Sequence, residues 1–121
     1  MSKIILADDH PIWLRAASDI LRQALEKESK TAEVETVENG RKLVERVVQG
    51  GYDLILPDYQ MPDLDGLEAT RLIREYDQEV PIYIHSCAGV RNQAMEAGAT
   101  GYFDKSNLNF NTFCQLVAKH L

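Results

Sequence analysis

Apolar positions along the chain alternate between short unbroken runs and stretches with helical spacing. "KIILA" (3–7) is apolar at every central position, as expected of a strand covered on both faces. The next stretch, "PIWLRAASDILRQALEKE" (11–28), puts Leu14, Ala17, Leu21 and Leu25 on one helical face, with Pro11 suited to a first turn. "AEVETV" (32–37) alternates instead, setting Glu33 and Glu35 opposite Val34, and predicts a half-exposed edge strand. Leu43, Val44, Val47 and Val48 recur at helical spacing until Gly50-Gly51. "DLIL" (53–56) predicts a third strand, 67–76 a third helix and "PIYIHS" (81–86) a fourth strand. A short helix over 91–98 stops at Gly98, "GYF" (101–103) gives a fifth strand, and Phe110, Phe113, Val117 and Leu121 stripe a closing helix.

Five strand–helix units in 121 residues imply one domain over 1–121: an α/β, doubly wound five-stranded parallel sheet with helices on both faces. Composition adds limits to this picture. Hydrophobic residues at 45% supply a sizeable core, while a net charge of −6 and a pI near 5.0 argue against direct nucleic-acid binding. Cys87 and Cys114 lie 27 residues apart with no partners for a zinc set, so both are expected as reduced thiols. The apolar run at the N-terminus is too short for a signal peptide, and no run approaches a membrane span. A soluble, cytoplasmic protein with no membrane partner is the expectation.

In sheets of this kind, ligands bind at the carboxyl ends of the strands. There the sequence places Asp8 and Asp9 after the first strand, Asp58 after the third, Ser86 at the end of the fourth and Lys105 after the fifth. Three carboxylates in one crevice repel one another unless a hard cation sits among them, and Mg²⁺ suits such oxygen ligands. A hydroxyl and an amine beside them suit the anionic oxygens of a phosphoryl group. Taken singly, each residue has a plainer reading: turn or capping aspartates, an ordinary strand end, a solvated lysine. Their joint placement at successive strand ends is the informative feature.

With these residues assembled, the chain resembles the receiver domains of two-component response regulators. The resemblance rests on "ILADDHP", "DYQMPDLDG", "PIYIHS" and "AMEAGATGYFDK", and it spans essentially the whole chain. "ADDHP" is most similar to receivers that precede LuxR/NarL-type helix-turn-helix output domains. The resemblance implies a flavodoxin-like strand order 2-1-3-4-5 and a phosphorylation-activated switch. It makes Asp58 the phosphoacceptor and gives Mg²⁺ the ligands Asp9, Asp58 and the backbone carbonyl of Gln60, with Asp8 holding a metal-bound water or ligating directly. Lys105 and Ser86 would bind phosphoryl oxygens, and Ser86 and Tyr102 would switch the face made by the fourth helix, fifth strand and fifth helix. It further implies a sensor histidine kinase or phosphotransfer protein as donor, an output domain or effector as target, phosphorylation-linked homodimerisation, and no enzymatic role beyond self-catalysed phosphotransfer and dephosphorylation.

The sequence departs from that pattern at several places. Pro57 removes an N–H just before the acceptor, inside the expected sheet. Ser86 and Lys105 are 19 residues apart, fewer than the family usually has, which predicts a truncated fourth helix or a mobile segment around "CAGVRN". Cys87 stands where a small residue is usual, Gln60 and Ala88 occupy positions that tune phosphoryl lifetime, and Ser106 replaces a frequent proline, arguing against a cis peptide. Tyr102 is alternatively a buried sheet aromatic, and Trp13 a packing residue or a fluorescent reporter of metal binding. The alternative functions are a phosphorylation-independent interaction module of the same fold, a Mg²⁺-dependent phosphohydrolase, and a flavodoxin-like electron carrier. Gln60 stands where the hydrolase chemistry wants a second acid, and Asp8 and Asp9 would repel a flavin phosphate.

Overall fold

A computed structural model describes residues 2–105 and 110–121, with Phe110 described through its backbone only. Five strands alternate with five helices: β1 (Ser2–Ala7), α1 (Pro11–Lys27), β2 (Ala32–Val37), α2 (Gly40–Val48), β3 (Leu54–Pro57), α3 (Gly66–Tyr76), β4 (Tyr83–Ser86), α4 (Arg91–Ala97), β5 (Gly101–Asp104) and α5 (Phe110–Lys119). All ladders are parallel. β2-β1-β3 forms one ladder set and β4-β5 another, joined by parallel bridges Ile55↔Ile82 and Asp58↔His85. The sheet order is therefore 2-1-3-4-5, as the family resemblance implied.

The thin ladder between β3 and β4 has a local cause. Ile55 N–H donates to the Pro81 carbonyl and Tyr59 N–H to the His85 carbonyl, both at 3.0 Å. The two-residue period of a parallel ladder puts the missing N–H of Pro57 opposite the Tyr83 carbonyl. On its other edge β3 is intact, because Ala7 pairs with Pro57 and Asp58 N–H donates to the Ala7 carbonyl at 2.8 Å. Pro57 thus costs one rung toward β4 and leaves the backbone of Asp58 anchored to β1.

Strand alternation sorts the core into two layers. Ile4, Leu6, Leu54, Leu56 and Tyr83 pack with Leu14, Ala17, Leu21 and Leu25 of α1 and with Phe113 and Val117 of α5. Ile5, Ala7, Ile55, Ile82 and Ile84 pack with Leu43 and Val47 of α2, Ile73 of α3 and Ala94 of α4 on the opposite face. Val48, expected in the α2 stripe, is instead 43% exposed: Leu43 and Val47 share the buried face, and Val48 lies about 100° further round the helix, one turn beyond the half-buried Val44. The Phe110 side chain falls outside the described residues, as does Ser106.

Helix ends follow their local chemistry. Asn39 and Asp65 accept from the N–H groups of Lys42 and Glu68 and cap α2 and α3. Gly98 takes a left-handed conformation to end α4 (φ 106°). α4 has only 7 residues, so the short Ser86–Lys105 spacing is absorbed as a truncated helix. Among the described residues no helix is long and apolar enough to cross a membrane.

Candidate functional site

The carboxyl ends of β1, β3 and β5 bring Asp8, Asp58 and Lys105 into one crevice, and Ser86 ends the neighbouring β4. Asp8 and Asp58 are nearly inaccessible, at 0% and 4% exposure, although both carry carboxylates. Burial of that kind requires compensation. It comes from Lys105, whose ammonium donates to Asp8 Oδ2 and lies 3.3 Å from Asp58 Oδ1. Asp8 Oδ1 also accepts the His10 N–H at 2.9 Å, so the turn role considered for this aspartate is present beside the site role. Asp9 is more exposed and lies 3.1 Å from His10 Nδ1.

These partners divide the two buried carboxyls. Burial alone would raise Asp8, but hydrogen bonds from Lys105 and His10 outweigh it and hold Asp8 below the usual carboxylate range. Asp58 has fewer partners. Burial first, then the Asp8 charge, push it up to about 6 against the pull of Lys105. Asp58 is therefore the under-compensated carboxylate, the one that gains most from an added cation.

The donor set suits such a cation. One ligand atom each from Asp8, Asp9, His10 and Asp58 lies within 4.8 Å of all the others. Three carboxylates match a hard divalent ion such as Mg²⁺. Gln60, two residues beyond Asp58, is exposed in the loop leading to α3. That loop is held close: Gly66 N–H donates to the Tyr59 carbonyl at 2.7 Å, and a Cβ at Gly66 would stand 2.3 Å from the Asp58 carbonyl oxygen.

Ser86 is buried, and its hydroxyl oxygen accepts the Ala88 N–H at 2.9 Å. Tyr102 is buried as well and donates its hydroxyl to the Ser86 carbonyl at 3.1 Å, with the Arg91 guanidinium over its ring. The aromatic thus stands inward with its hydroxyl satisfied, tied to the residue expected to move with it. Cys87 is an exposed free thiol beside the crevice, and Cys114 is free and buried.

Three residues at the site were missed as site residues by the sequence reading. His10 contacts both acidic neighbours, and these interactions, led by its hydrogen bond with Asp8, raise its pKa. His85 lies under the crevice at 1% exposure, with Nε2 3.1 Å from the Leu56 carbonyl. A carbonyl only accepts, so Nε2 carries the proton and Nδ1 presents a lone pair. That Nδ1 faces Asp58 Oδ1 at 3.7 Å and Asp8 Oδ2 at 3.9 Å, and among the described residues it is the one buried side-chain polar atom without a hydrogen-bond partner. Burial, then the Lys105 charge, drive its pKa down to about 3, so the ring is neutral. Trp13 of α1 stacks on His85 with ring centroids 4.6 Å apart. The alternation of "PIYIHS" held the signal: Ile82 and Ile84 face one layer, so Tyr83 and His85 must face the α1 side.

Comparison with known proteins fits this geometry. The chain is 34% identical over 107 residues to the signal transduction histidine-protein kinase BarA of Escherichia coli K12, covering 84% of this chain but 11% of that kinase. It thus spans about a tenth of the length of that relative. It is 35% identical over 108 residues to the chemotaxis protein CheY of Halobacterium salinarum, covering 87% of this chain and 86% of CheY. Among solved structures, the response regulator TrrA of Thermotoga maritima, in complex with Mg²⁺ and BeF, superimposes with a TM-score of 0.81 at 29% identity and full coverage of both chains. The sequence profile of the response regulator receiver domain matches residues 4–118, and on these grounds the chain belongs to the receiver domain family of response regulators.

Proposed function

We propose that this chain is a phosphorylation-activated signalling switch in which Asp58 accepts a phosphoryl group from a sensor histidine kinase or phosphotransfer protein. The observation that carries the reading is the pairing of a buried, under-compensated Asp58 with the Lys105 ammonium 3.3 Å away. A carboxylate oxygen of Asp58 attacks phosphorus in line. The P–N bond of the donor phosphohistidine breaks, its electron pair returns to the imidazole, and an acyl phosphate forms on Asp58. Little covalent help is needed, because positioning and charge neutralisation supply most of the acceleration.

Asp8, Asp9, Asp58 and the Gln60 backbone carbonyl would hold Mg²⁺, which neutralises charge on the phosphoryl oxygens when bound. Lys105 stabilises a further phosphoryl oxygen while Asp8 keeps the ammonium in the crevice. Ser86 turns its hydroxyl to the new anion, and the Tyr102 hydrogen bond to the Ser86 carbonyl transmits that shift to β5 and the neighbouring face of α4 and α5. Converting such a switch from mostly off to mostly on takes about 5 kcal/mol of differential interaction, within reach of a few charge-assisted hydrogen bonds.

The chain acts as a regulator and not as an enzyme on a separate substrate. Its output is a downstream domain or effector protein, which the "ADDHP" resemblance suggests is a transcription regulator, with phosphorylation-linked homodimerisation through the switched face and a cytoplasmic location. Intact-protein mass after incubation with acetyl phosphate and Mg²⁺ tests the reading. One phosphoryl adduct that requires Mg²⁺ and is absent in Asp58→Asn supports it. A folded, Mg²⁺-binding protein that takes no adduct favours the phosphorylation-independent module.

A further inference from the structure

We propose that Trp13 is a positioning residue for phosphotransfer: its indole, braced by His85, holds the Lys105 ammonium at the mouth of the crevice. The proposal rests on the phosphoacceptor reading of Asp58 and adds to it a residue of α1 that neither touches the phosphoryl group nor ligates the cation.

Lys105 follows the last strand on a flexible four-carbon stem, and such a chain has many rotamers to lose. Its ammonium has three N–H bonds. One is donated to Asp8 Oδ2, and Asp58 Oδ1 pairs with the charge at 3.3 Å. The Trp13 ring lies 4.5 Å from Nζ, within the range of a cation–π contact with the best aromatic acceptor of such contacts. Trp13 in turn is stacked on His85 with an interplanar angle of 25°. His85 cannot drift, because it is fully enclosed and its Nε2 is bonded to the Leu56 carbonyl on β3. Indole, imidazole and ammonium therefore form one continuous contact from α1 through β4 to the end of β5.

That arrangement serves phosphotransfer in a specific way. When Asp58 becomes an acyl phosphate, its oxygen is no longer a full anionic partner for Lys105, and the ammonium must turn to a phosphoryl oxygen. The indole face is a non-directional contact that remains attractive through this turn. A carboxylate or carbonyl in the same place would hold the ammonium back.

The test compares Trp13→Leu and Trp13→Phe with wild type. Phosphorylation by acetyl phosphate at saturating Mg²⁺ is followed by intact mass across donor concentrations, and Mg²⁺ affinity is measured by calorimetry. Trp13→Leu is expected to lower the maximal phosphorylation rate by about tenfold, Trp13→Phe by less than about threefold, and both to bind Mg²⁺ as wild type does. A second readout needs no phosphodonor. The Lys105 Cε protons should resonate upfield from ring current in wild type and Trp13→Phe, and return to an ordinary position in Trp13→Leu. Ordinary Lys105 shifts in wild type, a Trp13→Leu rate equal to wild type, or equal slowing in the Leu and Phe variants would overturn the proposal. Absence of any adduct in wild type, with upfield Lys105 protons, would overturn the phosphoacceptor reading and leave the ammonium–indole contact standing.

Discussion

Asp58→Asn is expected to stabilise the metal-free protein at neutral pH. Burial and the Asp8 carboxylate raise the Asp58 pKa from 3.8 to about 6 in the folded chain. The folded state then holds the proton more tightly than the unfolded state. Stability therefore falls as pH rises from about 4 to about 6, and above that the full penalty of an ionised Asp58 is present. A shift of about two units at 1.36 kcal/mol each sets an upper bound of roughly 3 kcal/mol. Coupling to Asp8 and relaxation of the crevice reduce this, and about 1–3 kcal/mol is expected, or roughly 3–10 °C in Tm for a chain of this size. Asparagine keeps the volume and removes the charge, so packing is held constant. Urea denaturation in EDTA, at steps from pH 5 to 8, should show a gap between variant and wild type that widens to about pH 7 and then levels. Added Mg²⁺ should narrow it by stabilising wild type, by about 2.7 kcal/mol at a concentration one hundred times Kd. A gap independent of pH, or an asparagine variant less stable than wild type at pH 7.5, would refute the reasoning.

Gly66→Ala would drive a Cβ to 2.3 Å from the Asp58 carbonyl oxygen, so it should cost roughly 1–3 kcal/mol and slow phosphorylation, read by urea melts and intact mass. Arg74 donates to the carbonyls of Gly98 and Val80 at 2.7 Å and of Asp77 at 3.1 Å, stitching α3 to the segments that flank β4 and β5; Arg74→Ala should lower stability by about 2–3 kcal/mol in the same melts. Pro57→Leu restores an N–H opposite the Tyr83 carbonyl, worth about 1 kcal/mol, but frees the unfolded chain by a similar amount. Its stability should stay within about 1 kcal/mol of wild type, with new hydrogen-exchange protection at residue 57.

Much of this architecture was legible because apolar runs and helical stripes obey strand and helix periods independently of context. That the acidic pair, Asp58, Ser86 and Lys105 stand at the carboxyl ends of strands was readable for a related reason: in a parallel sheet those ends share one edge, where ligands bind. Val48 departs from expectation, since helical spacing alone does not reveal which flank of a broad apolar stripe reaches the sheet. His85 is hidden by the apolar run that contains it, although its parity with Tyr83 places it under α1. The Lys105–Trp13 contact could not be read at all. Residues 13 and 105 meet only when the whole sheet order is assembled, and no local rule connects them. The effect of Pro57 was likewise open until the register showed which edge of β3 had lost its donor.

The most direct test of the central claim is to trap the modified residue. The protein is incubated with acetyl phosphate and Mg²⁺, reduced with borohydride, which converts an aspartyl phosphate to homoserine, and mapped by peptide mass spectrometry. The account predicts homoserine at position 58, dependent on Mg²⁺ and on Lys105. Reduction at Asp8 or Asp9, or no reduced residue in a folded protein that binds Mg²⁺, would contradict it.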